Sequence, residues 1–100
     1  MGYGASAVWY FGTINGRHLS LLVIDPHYLV KHADSVTDEI IIELVKMLDG
    51  REFTPEKITA TGFEYYVEDD MKFNGKTYKL IWLLEGDEIY IGVVNCYRRD

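Results

Sequence analysis

Val8-Trp-Tyr-Phe-Gly-Thr-Ile-Asn-Gly-Arg-His-Leu-Ser-Leu-Leu-Val-Ile24 decides the architecture. Asn15-Gly16 stands between two runs of apolar, aromatic and β-branched residues. A two-residue type I′ turn needs positive φ at both central positions, and Asn-Gly tolerates this best. The stretch therefore reads strand, turn, strand. In the second strand Leu19, Leu21 and Val23 share one face, while Ser20, Leu22 and Ile24 share the other, so the strand is mostly buried.

Asp25-Pro26 ends the hairpin and opens a short helix, His27–Ala33. The aspartate can accept from free first-turn amides, and proline is tolerated at the first helical position. Ser35, with Asp38 three residues later, reads as a second helix start. The following helix, Val36–Leu48, places Ile40, Ile41, Leu44, Val45 and Leu48 on one stripe. Arg51–Thr61, with Pro55, reads as an irregular link with room for one helical turn. Three strands follow. Phe63–Glu68 alternates, Asp69-Asp70 interrupts it and Met71–Phe73 resumes it. Asn74-Gly75 is a second hairpin signal, and it leads into Lys76–Leu84. Glu85-Gly86-Asp87 then turns the chain into Glu88–Tyr97.

The expected fold class is therefore α+β in two layers, with helices on one face of an antiparallel sheet in the order ββ-αα-βββ. Leu21, Val23, Ile40, Leu44, Val45, Leu48, Leu80, Trp82, Ile91 and Val93 are the expected core. At 100 residues, residues 1–100 read as a single domain. Met1–Ser6 reads as a frayed end or a cloning remnant.

A hydrophobic fraction of 48% is enough for one real core and too rich for a disordered chain. The single cysteine, Cys96, rules out a disulfide framework within the chain and reads as an inert core thiol. No segment has the run of apolar residues that a membrane span needs, and the first residues lack the pattern of a signal peptide, so a cytoplasmic protein is expected. The net charge of -6 argues against a general nucleic-acid binder but leaves room for a local basic site.

Three clusters have residue types that carry chemistry. His27 and Lys31 lie four apart and share a helical face. Imidazole titrates near neutrality, so His27 is an acid/base candidate, with Lys31 placed to steady phosphate charge. His27 and His32 lack the spacing of a metal pair, and neither a metal nor another cofactor is expected. The second cluster is Lys72, Lys76, Lys79, Arg98 and Arg99, half of the ten cations. With its tyrosines it suits RNA phosphates and bases, or serves as ordinary solubilising charge. Strand alternation sends Tyr97 and Arg98 to opposite faces. The third is the acidic run Glu64, Glu68, Asp69 and Asp70, which suits a basic partner or forms a solvated edge.

His27-Tyr-Leu-Val-Lys-His32 and the helix Asp38–Leu48 are similar to the opening helices of small RelE-like and BrnT-like toxins. Tyr78-Lys-Leu-Ile-Trp82, Ile89–Val94 and Asn95-Cys-Tyr-Arg-Arg99 resemble their closing hairpin. The resemblance, in element order and texture, covers about two thirds of the chain. It implies an antiparallel sheet with helices on one side. It also implies metal-independent ribonuclease activity by attack of the ribose 2′-hydroxyl. Carried over, His27 and Tyr97 become acid/base candidates, and Lys31, Arg98 and Arg99 hold phosphate. The chain departs from those toxins in being acidic and in its long N-terminal hairpin.

Two functions stand side by side at this point. One is a small ribonuclease of the toxin type acting on RNA. The other is a non-enzymatic acidic interaction module, such as an immunity, antitoxin or phage accessory protein, binding a basic protein partner.

Overall fold

The computed structural model describes residues 5–99. Eight elements follow in order: β1 (Ser6–Ile14), β2 (Arg17–Ile24), α1 (Tyr28–His32), α2 (Asp38–Lys46), β3 (Lys57–Ile58), β4 (Phe63–Phe73), β5 (Lys76–Glu85) and β6 (Tyr90–Arg98). One six-stranded sheet runs β1-β2-β6-β5-β4-β3. Neighbouring strands are antiparallel except β2 and β6, which run parallel. The α+β class and the mainly antiparallel sheet match the expectation. The order ββ-αα-βββ is corrected, because the sheet has a sixth strand and one parallel pair. Both differences have local causes. The link after α2 forms the two-residue β3 against Tyr65 and Glu64 instead of a helical turn. The return to β6 through helices and a three-stranded meander is long enough to permit a parallel partner for β2.

Both hairpins turn as their sequences require. Asn15 and Gly16 have φ of 54° and 73°, and Asn74 and Gly75 have 55° and 79°. Gly16→Val and Gly75→Val should each destabilise by about 1–3 kcal/mol, since a β-branched residue resists positive φ. Urea melts of the two variants measure this, and an unchanged midpoint in both would contradict the turn assignment.

Helix α2 starts later than its sequence pattern suggests. Thr37, not Ser35, is the cap: its Oγ1 accepts from Ile40 N at 3.2 Å. Ser35 belongs to the exit of α1, where the amides of Ser35 and Val36 both donate to His32 O. Asp38 and Glu39 then occupy the first turn and Lys46 the last, which suits the helix dipole. Ile41, Leu44, Val45 and Leu48 are buried against the sheet's inner face, where Tyr66, Leu80, Trp82, Leu84, Ile91, Val93 and Cys96 join one core.

Three expected core residues sit differently. Leu21, Val23 and Ile40 are only half-buried, and in β2 it is Leu22 and Ile24 that enter the core. Ser20 N and Leu21 N both donate to Ile89 O, at 2.8 and 3.3 Å. Two residues thus face one, a bulge that lets Leu19 and Leu22 both point inward. A strand apolar on both faces carries no alternation signal from which to choose a side. Similarly, Asp69-Asp70 does not end β4; it forms an irregularity between Glu68 and Met71 within one continuous strand. Of the proposed frayed end, Ser6 already belongs to β1, and residues 1–4 lie outside the described residues. Cys96 is buried, and burial pushes its thiol up to about 12. No described helix is long and apolar enough to cross a membrane.

A polar network crosses the inner face from the β1–β2 turn to β4. Arg17 Nη2 donates to both carboxylate oxygens of Glu64, at 3.0 and 2.8 Å. Tyr66 OH donates to Glu64 Oε1 at 2.6 Å, and Asn15 Nδ2 donates to Tyr66 OH at 2.9 Å. Phe53 N closes the set by donating to Asn15 Oδ1 at 2.5 Å. The Tyr66 hydrogen bond, then Arg17, hold the Glu64 carboxyl below its ordinary value of 4.5. A carboxylate depressed in the folded state stabilises above its unfolded pKa and loses that contribution as pH falls through the folded one. Thermal midpoints should therefore drop as pH falls below 4.5. Glu64→Gln should flatten that acid limb, and a slope unchanged by the substitution would remove Glu64 as its cause.

Candidate functional site

β2 pairs with β6 only over Tyr90–Val93, so the C-terminal half of β6 has no strand on that side. Helix α1 packs there instead. Asp25 holds the approach: its N–H donates to Val93 O at 2.9 Å, and its Oδ1 accepts from His27 N at 2.8 Å. Tyr28 anchors the helix from beneath. Its ring is buried, and its hydroxyl donates to Asp38 Oδ1 at 2.5 Å. Burial first, then the Asp38 contact, raise the Tyr28 pKa, so this anchor stays a donor.

The arrangement opens a recess of about 240 Å³ between α1 and β6, lined by His27, Val30, Lys31, His32 and Asn95. His27 and Lys31 are exposed at its mouth, and His32 and Asn95 are half-buried. His32 stacks on Tyr97, with ring centroids 5.1 Å apart. Lys79 lies across β5–β6 from Tyr97, with its ammonium 5.7 Å from the ring centroid. Contact with the Tyr97 hydroxyl, and then with Asp69, raises the Lys79 pKa and keeps its charge. Asp69 Oδ1 in turn holds Lys79 at 3.5 Å and Arg99 Nη1 at 3.4 Å.

The proposed site residues thus fall into two groups. His27 and Lys31 share the recess, and Tyr97 reaches it through the His32 stack. Arg99 lies at the far end of the Lys79–Asp69 contact. Arg98 pairs with Tyr78, so strand alternation puts it on the face opposite Tyr97. Two residues without an assigned role, His32 and Asn95, join the arrangement, together with Lys79 of the basic cluster. Asn95 and Tyr97 are two apart on one strand, a signal the sequence contains. The Lys79–Tyr97 pairing is hidden, because an irregularity between Ile81 and Trp82 shifts the β5–β6 register.

The acidic run and the basic cluster largely neutralise each other. Glu64 is paired with Arg17, Asp70 with Lys72 at 2.7 Å, and Asp69 with Lys79 and Arg99. Glu68 is raised above the ordinary carboxylate value, by desolvation first. Among the described residues no three His, Cys, Asp or Glu side chains gather as a metal site. Two imidazoles, an ammonium and a carboxamide around one recess can donate and accept protons and hold an anion. Compared with family models, curated proteins and solved structures, the chain finds no match.

Proposed function

We propose that the chain is a small metal-independent ribonuclease whose centre is the recess between α1 and β6. The observation that carries this reading is the placement of His27, Lys31 and His32 around one opening, with Tyr97 stacked behind His32. Cleavage of RNA without a metal needs one group to take the proton from the ribose 2′-hydroxyl and another to protonate the departing 5′-oxygen. The 2′-oxygen bonds to phosphorus as the bond to the 5′-oxygen breaks, leaving a 2′,3′-cyclic phosphate and a free 5′-hydroxyl. Two imidazoles, one neutral and one protonated, supply both transfers. Lys31 offsets the charge that builds on the phosphoryl oxygens. Tyr97 of β6 and Lys79 of β5 extend the site and offer an aromatic platform beside a cation for an unstacked base.

The test is incubation of purified protein with single-stranded RNA in excess chelator. Cleavage that leaves 2′,3′-cyclic ends, spares a 2′-O-methyl copy and weakens with salt supports the reading. No cleavage, together with no growth arrest on expression, leaves the alternative of a binding module for a basic protein.

A further inference from the structure

We propose that β1 is a self-pairing edge, through which two copies of this chain join antiparallel about a two-fold axis into one continuous sheet. The two edges of the sheet are built differently. β3 spans two residues, too short to template another strand. β1 spans nine, Ser-Ala-Val-Trp-Tyr-Phe-Gly-Thr-Ile, with no charge and no proline. Charge and proline normally blunt an edge; the one such device in β1 is an irregularity between Trp9 and Gly12.

The link after α2 closes one end of this edge. Thr13 N donates to Asp49 Oδ1 at 2.6 Å, Gly50 N to Thr13 O at 2.6 Å and Asn15 N to Arg51 O at 3.0 Å. The stretch Ser6–Phe11 has no such cover among the described residues. Leu21 directs its N–H to Ile89 O, toward β6. Its partner Trp9 therefore turns its own N–H and C=O outward.

The side chains point the same way. Trp9 and Phe11 are 76% and 75% exposed, flanking the buried Tyr10. Their rings lie 6.2 Å apart and 8° from parallel. Beside them, a groove of about 360 Å³ runs between β1 and Ile42, Lys46 and Asp49 of the α2 region.

Self-complementarity favours a second copy as the occupant, and the uncharged edge permits it. The molecule carries -6, so most of its surface repels its own kind. The uncharged β1 is a long element on which two acidic copies meet without like charges face to face. A two-fold antiparallel pair centred near Tyr10 sets Trp9 of each copy across from Phe11 of the other, the reciprocal contact an isologous interface requires. Four such rings, each roughly 150–250 Å² and about three-quarters exposed, bring on the order of 450–750 Å². That is about a third of a standard interface of roughly 1,600 Å², and the strand backbones and groove walls add to it. The expected product is a reversible dimer.

Sedimentation velocity across a hundredfold concentration range tests this, beside Trp9→Lys, Phe11→Lys and Ile58→Lys. The parent should shift from 11.6 kDa toward twice that mass as concentration rises. Either β1 lysine should weaken association at least tenfold with an unchanged circular dichroism spectrum. Ile58→Lys, at an exposed residue of the opposite edge, should leave association as it was. Trp82 is fully buried, so any concentration-dependent shift in tryptophan emission comes from Trp9, a readout that needs no variant. A parent that stays at 11.6 kDa throughout overturns the proposal and leaves the edge to an extended segment of a different protein. A dimer that survives both β1 lysines, or that Ile58→Lys disrupts equally, also overturns it.

Discussion

Trp82→Ala should lower stability by about 3–5 kcal/mol, on the scale of the whole folding free energy of a domain this size. The indole sits at 0% exposure in the middle of β5. Tyr66 stacks on it at 4.1 Å and 10°, and Phe53 meets it edge-on at 5.3 Å and 85°. Removing it leaves a void under both rings. It also loosens Tyr66, whose hydroxyl ties Asn15 to Glu64 and so the β1–β2 turn to β4. The loss therefore spreads from packing to the polar network. Trp82→Phe separates the two effects. It keeps one ring of the stack and removes an indole N–H that is buried without an acceptor. It should cost less than half as much as the alanine. Urea denaturation of both variants measures the difference. A loss under 1.5 kcal/mol for alanine, about the cost of a mere hydrophobic swap, would contradict this account.

His27→Ala and His32→Ala should each reduce RNA cleavage by about 10²–10⁴-fold, the usual contribution of one acid or base. His27 lies at the mouth of the recess, so its loss should leave folding unchanged. His32 also stacks on Tyr97, so its variant carries a second consequence. If His32 only positions Tyr97, His32→Phe should restore most of the rate, because a phenyl ring stacks equally well. If it moves a proton, phenylalanine should be as inactive as alanine, and the pH–rate profile should lose one limb. Arg98→Ala sorts the phosphate contacts. Strand alternation takes Arg98 away from the Tyr97 face, so cleavage should fall less than tenfold. A collapse of activity in Arg98→Ala, with His27→Ala unaffected, would move the centre to the other face of the sheet.

Much of the framework was already legible in local chemistry. Each Asn-Gly pair sits in a two-residue turn because few other pairs accept positive φ twice in succession. The stripe of Ile41, Leu44, Val45 and Leu48 marks the buried face of α2 because one helical period admits one apolar face. Tyr78, Leu80, Trp82 and Leu84 face inward from β5 because a strand with clear alternation has one register that buries them. His27 and Lys31 share the recess because four residues is one helical turn.

Local chemistry thus settles the short-range matters: where the chain turns, which elements form and which faces are apolar. The remaining features come from packing, because they depend on contacts between residues far apart in the chain. The choice of Leu22 and Ile24 over Leu21 and Val23 rests on a bulge where β2 meets Ile89, the residue before β6. The parallel β2–β6 pair joins strands separated by five other elements, and local propensity carries no term for that partner. The stack of His32 on Tyr97 and the line to Lys79, Asp69 and Arg99 exist because β2 stops short of β6's end and α1 fills the gap. Charge placement followed the same logic. An acidic run and a basic cluster that look like two separate surfaces in sequence partly pair with each other: Asp69 of β4 meets Lys79 of β5 and Arg99 just past β6, and Asp70 meets Lys72 within β4.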